Sequence, residues 1–122
     1  MKRTTNLLLL MLLLSLPTSA QLPKPDRVTV GIDNTTVSKA LDKAYYAITE
    51  DLRDPDSAKF RCVSVGRNED ETLLFVRGGI NATNASGGYS GYKAFIVAFY
   101  LPDLTIRNAS ILNSSDRLAC DR

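Results

Sequence analysis

The chain has no histidine among its 122 residues and only two cysteines. Without imidazole, Ser-His-Asp and Cys-His nucleophile systems are excluded, as are the usual His-bearing zinc sites. No Gly-Lys-Ser/Thr follows the glycine-rich segment, whose only nearby lysine is Lys93, so a phosphate-cradling loop is excluded too. Beyond the first twenty residues there is no hydrophobic run long enough to cross a membrane. There is also no internal repeat, no low-complexity tract and no basic cluster with interleaved aromatics.

What is present begins with an export signal. Met1-Lys2-Arg3, the apolar run Leu7–Leu16 and the small residues Thr18 and Ala20 form the three parts of a secretory signal peptide, with cleavage expected after Ala20. Gln21 rather than Cys would follow the cut, so no lipid anchor is implied. The intact chain carries 15 Lys and Arg against 13 Asp and Glu. Removing Lys2 and Arg3 leaves 13 of each, and the electrostatic footprint of a polyanion-binding protein disappears. Nucleic acid is not an expected partner. The expected location is the periplasm or the cell exterior.

About 100 residues remain, enough for one domain. Cys62 and Cys120, in an oxidising compartment, are expected to pair. The bridge would close a long loop and contribute on the order of 4 kcal/mol.

Residues 21–36, with prolines at 23 and 25 and a weak alternation at Val28, Val30 and Ile32, read as an extended arm. Thr35 or Thr36 can cap a helix. Val37, Leu41, Ala44, Tyr45, Ile48 and Leu52 then fall on one stripe at helical period, and Pro55 stops the helix. After that the period changes. Segments 60–66, 72–80, 91–100 and 104–112 are rich in β-branched and aromatic residues and read as four strands joined by hairpins. The expected domain, residues 37–122, is α+β: one N-terminal amphipathic helix on a four-stranded antiparallel β-meander, with one disulfide.

Two motifs stand out, Asp54-Pro-Asp-Ser-Ala-Lys-Phe60 and the run from Gly78 to Phe95. Together they resemble small exported bacterial proteins of uncharacterised function, in which Asp-Pro-x-Ser-Ala-x-Phe precedes Cys-Gly-x-Val-Asn-Ala-Lys-Asn and Gly-Gly-Tyr-x-Gly-Tyr. The matching positions are Asp54, Pro55, Ser57, Ala58 and Phe60, then Gly78, Asn81, Ala82, Asn84, Gly87, Gly88, Tyr89, Gly91, Tyr92 and Phe95. The resemblance covers residues 50–100 and implies a bacterial origin and a fold, not an activity. Thr83 stands where that pattern has lysine, and Arg77 where it has cysteine. The second departure implies that the half-cystine has moved to Cys62 on the neighbouring strand, within one or two residues of a place opposite Phe75–Arg77.

The acidic residues offer little chemistry. Asp54 and Asp56 flank a proline and read as a turn, with Ser57 capping the segment after it. Glu69, Asp70 and Glu71 read as a solvated hairpin tip rather than a hydrolytic pair or a calcium site. No cofactor and no metal are expected, and the chain reads as non-catalytic. Asn34, Asn81, Asn84, Asn108 and Asn113 each open an Asn-x-Ser/Thr sequon, which carries no meaning in a bacterium.

The loop 81–92 remains. Structurally, its glycines supply positive φ angles, its asparagines bond its own backbone, and Tyr89 and Tyr92 pack over the helix. Functionally, Asn81, Asn84, Tyr89 and Tyr92 line a recognition surface for a protein or an envelope glycan. The functional expectation is an exported binding or interaction protein using this loop. Alternatives are an inhibitor or immunity protein against a cell-wall hydrolase or toxin, and a structural component of an envelope assembly.

Overall fold

The computed structural model describes residues 22–83, 87–89 and 91–112. The expected signal segment 1–20, Asn84, Asn113 and Cys120 lie outside the described residues. Five strands and one helix occur in the order β1 (Arg27–Val28), α1 (Asn34–Thr49), β2 (Lys59–Arg67), β3 (Leu73–Asn81), β4 (Lys93–Tyr100) and β5 (Thr105–Ile111), with a short 3-10 turn at Pro55–Ser57 before β2. They form one sheet in the order β1-β2-β3-β4-β5.

This corrects the expected four-stranded antiparallel meander. The sheet has five strands and is mixed, because β1 runs parallel to β2, pairing Arg27 with Ser64 and Val28 with Val65. The segment expected to be a loose arm is held by two backbone bonds, Asp26 N–H to the Val63 carbonyl at 2.8 Å and Thr29 N–H to the Val65 carbonyl at 2.9 Å. Leu22 anchors its start in the core. None of this leaves a periodic trace, since Val28 and Val30 are 40% and 91% exposed. A parallel pair needs a crossover connection, and α1 supplies it.

The expected disulfide is not part of the described fold. Cys62 is buried and is not a free thiol, but Cys120 lies outside the described residues, so no bridge is seen among them.

Helix α1 starts at Asn34, three residues ahead of the expected Val37, with Asp33 in extended conformation at its N-cap. Thr35 and Thr36 therefore sit inside the first turn and cap nothing. Val37, Ala40, Leu41, Ala44 and Ile48 form its buried stripe. The helix ends at Thr49, whose hydroxyl donates to the Tyr45 carbonyl at 2.8 Å, well before Pro55.

The stripe packs on one face of the sheet, against Val63 and Val65 of β2, Leu74, Val76 and Ile80 of β3, and Phe95, Val97 and Phe99 of β4. Burying a side chain of this kind contributes about 1.5–3 kcal/mol. Strand β2 reaches this face only through a bulge. Arg61 pairs with Gly79 and Ser64 with Arg77, leaving Cys62 and Val63 opposite Gly78. Cys62 takes a φ of +57°, and the inward positions switch from Phe60 to Val63 and Val65. Gly78 is needed there for a second reason: a Cβ at this position would sit 2.8 Å from the Phe95 ring and 3.2 Å from the Arg61 carbonyl oxygen.

Helix and sheet are tied once more at the β4–β5 turn, where the Lys43 ammonium donates to the Leu104 carbonyl at 3.1 Å. No helix among the described residues is long and apolar enough to cross a membrane.

Candidate functional site

The helix covers one face of the sheet, and no helix or strand among the described residues covers the other. Paired residues share a face, so the register reads that open surface directly. From one end it carries Lys59 beside Asn81, then Arg61–Gly79–Ala94, then Arg27–Ser64–Arg77–Ile96–Ser110, then Gly66–Phe75–Ala98–Asn108, and finally Leu73–Tyr100–Thr105. Four of these positions are cationic and none is Asp or Glu. Beyond residue 20 the sequence has 13 acids and 13 bases, yet this surface carries charge of one sign.

The loop 81–92 folds over the Lys59 end of this face. Two of its glycines, Gly87 and Gly91, take φ angles of +83° and +99°, a region closed to most side chains. Thr83 and Tyr89 face each other across an isolated antiparallel bridge. The Asn81 side-chain oxygen accepts the Gly91 N–H at 3.2 Å, so this asparagine holds the root of the loop.

Ser57 secures the loop from outside. Its hydroxyl donates to the Asp54 carbonyl at 2.7 Å, closing the 3-10 turn, and lies 2.9 Å from the Thr83 hydroxyl. Its carbonyl accepts the Tyr89 hydroxyl at 2.9 Å. The Asp54–Phe60 motif and the loop motif are thereby one structural unit. Ser57 does not cap β2; it closes the turn and clamps the loop.

Both loop tyrosines stack on cations rather than on the helix, which corrects the structural expectation for their rings. The Lys59 ammonium lies 4.4 Å from the Tyr89 ring centroid, and the Arg61 guanidinium 4.1 Å from that of Tyr92. Such contacts contribute about 0.5–1 kcal/mol at exposed sites. Arg61 can stack there because the bulge begins just after it and keeps it outward. Tyr89 is 44% exposed, so ring and ammonium are presented to solvent as a pair. Of the four residues expected to form a recognition surface, the structure brings together Tyr89 and Tyr92. Asn81 is committed to the loop backbone, and Asn84 is outside the described residues.

Lys59, Arg61, Arg27 and Arg77 were not among the site residues expected from sequence; Arg77 stood out there only as a departure at a cysteine position. Strand alternation would have placed Arg61 and Arg77 outward, but only the register shows that they share a face. Arg27 belongs to the unforeseen strand.

Two acidic residues have defined partners among the described residues. Glu71 pairs with Arg67 at 3.0 Å at the β2–β3 hairpin tip. That tip is organised by Asn68, whose side-chain oxygen accepts the Thr72 and Leu73 N–H groups at 2.9 and 3.0 Å. Asp103, fully exposed in the β4–β5 turn, has its carboxyl held below the usual range by hydrogen bonding from Thr105. Among the described residues no cluster of three acidic, cysteine or histidine side chains is placed to hold a metal ion.

A hollow of about 190 Å³ opens at the loop root between Leu52, Ile80, Ala82, Ile111 and the Lys93 chain. No protein-family model matches the chain, and no curated protein or solved structure matches it significantly.

Proposed function

We propose that this is an exported, non-catalytic binding protein that uses the loop 81–92 and the open sheet face beneath it to hold an acidic envelope glycan. The observation that carries the reading is the pairing of Lys59 with Tyr89 and Arg61 with Tyr92 on a face whose described strand positions include no Asp or Glu. A glycan of this kind presents carboxylate or phosphate groups and flat apolar ring faces. Fixed cations meet the first and tyrosine rings meet the second.

Pre-organisation supports the same reading. Ser57 holds Tyr89 and Asn81 holds Gly91, so these two residues lose little conformational entropy on binding. Acidic ligands are also attracted at a distance by a face of one sign, an effect that salt weakens.

The test is calorimetric titration of the mature protein with acidic and with neutral envelope oligosaccharides. The acidic ones should bind, weaken as salt rises, and lose affinity on Lys59→Ala and Tyr89→Ala while the melting temperature changes little. Equal binding of neutral oligosaccharides, or affinity indifferent to both substitutions, contradicts the glycan reading. Binding of an acidic protein instead, with the same two substitutions weakening it, would keep the surface and replace the partner.

A further inference from the structure

The opposite end of the open face carries a second feature, independent of the loop. A groove of about 450 Å³ lies along β1, β2 and β3, walled by Arg27, Thr29 and Arg77, with Ser64, Gly66 and Phe75 as its floor. That volume lies in the range of small-ligand sites. We propose that this groove is a binding site for a small ligand carrying one anionic group on a flat ring.

The row Arg27–Ser64–Arg77 spans three adjacent strands. Its two arginine Cα positions are two strand spacings apart, about 10 Å, with a serine hydroxyl between them. Neither arginine forms an ion pair among the described residues, and both are exposed. Arg67, which also borders the groove, is different: Glu71 already neutralises it. Two arginines flanking one serine on adjacent strands suit a carboxylate or a phosphate ester, each of which accepts paired hydrogen bonds from a guanidinium.

The next row supplies the seat for the ring. Phe75 pairs with Gly66, so the phenyl faces a position with no side chain. The Arg77 guanidinium lies 5.2 Å from the Phe75 ring centroid, which fixes the charge beside the aromatic floor. Gly66 keeps the floor open: a Cβ there would stand 3.2 Å from the Thr29 hydroxyl oxygen and project into the groove. The anionic group is expected over Ser64 and the flat ring over Gly66, beside Phe75.

The parallel strand is what makes the site. Without β1 there is no Arg27 and no Thr29 wall, and the face would end at β2.

The experiment is isothermal titration of the mature protein with four probes: phenyl phosphate, benzoate, inorganic phosphate and benzyl alcohol. At least one of the two ring anions should bind tenfold or more tightly than either inorganic phosphate or benzyl alcohol. Which ring anion wins decides between a phosphate ester and a carboxylate. Arg27→Gln and Arg77→Gln should each weaken the ring anion at least tenfold, while Arg107→Gln on the far edge strand leaves it unchanged. Gly66→Ala should weaken the ring anion but not inorganic phosphate, a split that loss of folding cannot imitate. The proposal is overturned if no ring anion binds, if inorganic phosphate binds as well, or if Arg107→Gln matters as much as Arg27→Gln.

Discussion

The Tyr89 hydroxyl donates to the Ser57 carbonyl across 2.9 Å, joining residues 32 positions apart. This bond, with the Ser57–Thr83 contact beside it, ties the proline turn to the glycine-tyrosine loop. The turn Pro55–Ser57 itself buries no side chain, so its tie to the loop is polar.

Removing the hydroxyl alone should therefore loosen the loop selectively. Tyr89→Phe keeps the ring on Lys59 and deletes one exposed hydrogen bond, with an expected stability loss of about 0.5–1.5 kcal/mol. The Thr83 amide, which donates to the Ser57 hydroxyl at 3.3 Å, should exchange with solvent faster, while that of Val97 in the central strands is unchanged. Unaltered exchange at Thr83 would mean that the clamp is not holding the loop.

Gly78 should resist any side chain. Its Cβ would lie 2.8 Å from the fully buried Phe95 ring, with an Arg61 carbonyl on the other side. Gly78→Ala is expected to cost about 1–3 kcal/mol, as overpacking does. Chemical denaturation measures it, and an unchanged midpoint would show that the ring can move aside.

Leu22 tests the fifth strand. It is 2% exposed at the start of a segment that otherwise presents Val28 and Val30 to solvent. Leu22→Ala should destabilise by about 2–5 kcal/mol if the arm belongs to the core. A loosely attached arm would give a loss near zero.

Much of this architecture could be read from residue patterns alone, and the failures have physical reasons. The helix stripe and strands β2, β3 and β4 follow apolar periodicity, because each buries a face, whereas β5 was legible only from its residue types and has no fully buried residue. β1 gives neither signal: it joins the sheet through main-chain bonds and shows Arg27 and Val28 to solvent. The bulge at Cys62 and Val63 was likewise hidden, since a shift of register changes pairing without changing composition. Tyr89 and Tyr92 were visible as candidates, but their partners Lys59 and Arg61 depend on strand register, which no single segment contains.

The β4–β5 turn should show a small acid dependence. Hydrogen bonding from Thr105 keeps the Asp103 carboxyl below its ordinary 3.8, so its contribution to stability is present above that value and fades as pH falls through the lowered folded one. Asp103→Asn should slightly lower the melting temperature at pH 7, and the difference from the parent should shrink as pH falls below 3.8 and the carboxyl is protonated. A difference that persists at low pH would point to packing rather than charge.

The central claim is that the helix-free face of the sheet is where this protein meets its partner. Amide shift mapping of the isotope-labelled mature chain during titration with an acidic envelope oligosaccharide tests it most directly. The expected result is movement at Lys59, Arg61, Tyr89 and Tyr92, with the outward side of α1 still. Shifts gathered on α1, or none at saturating ligand, would contradict it.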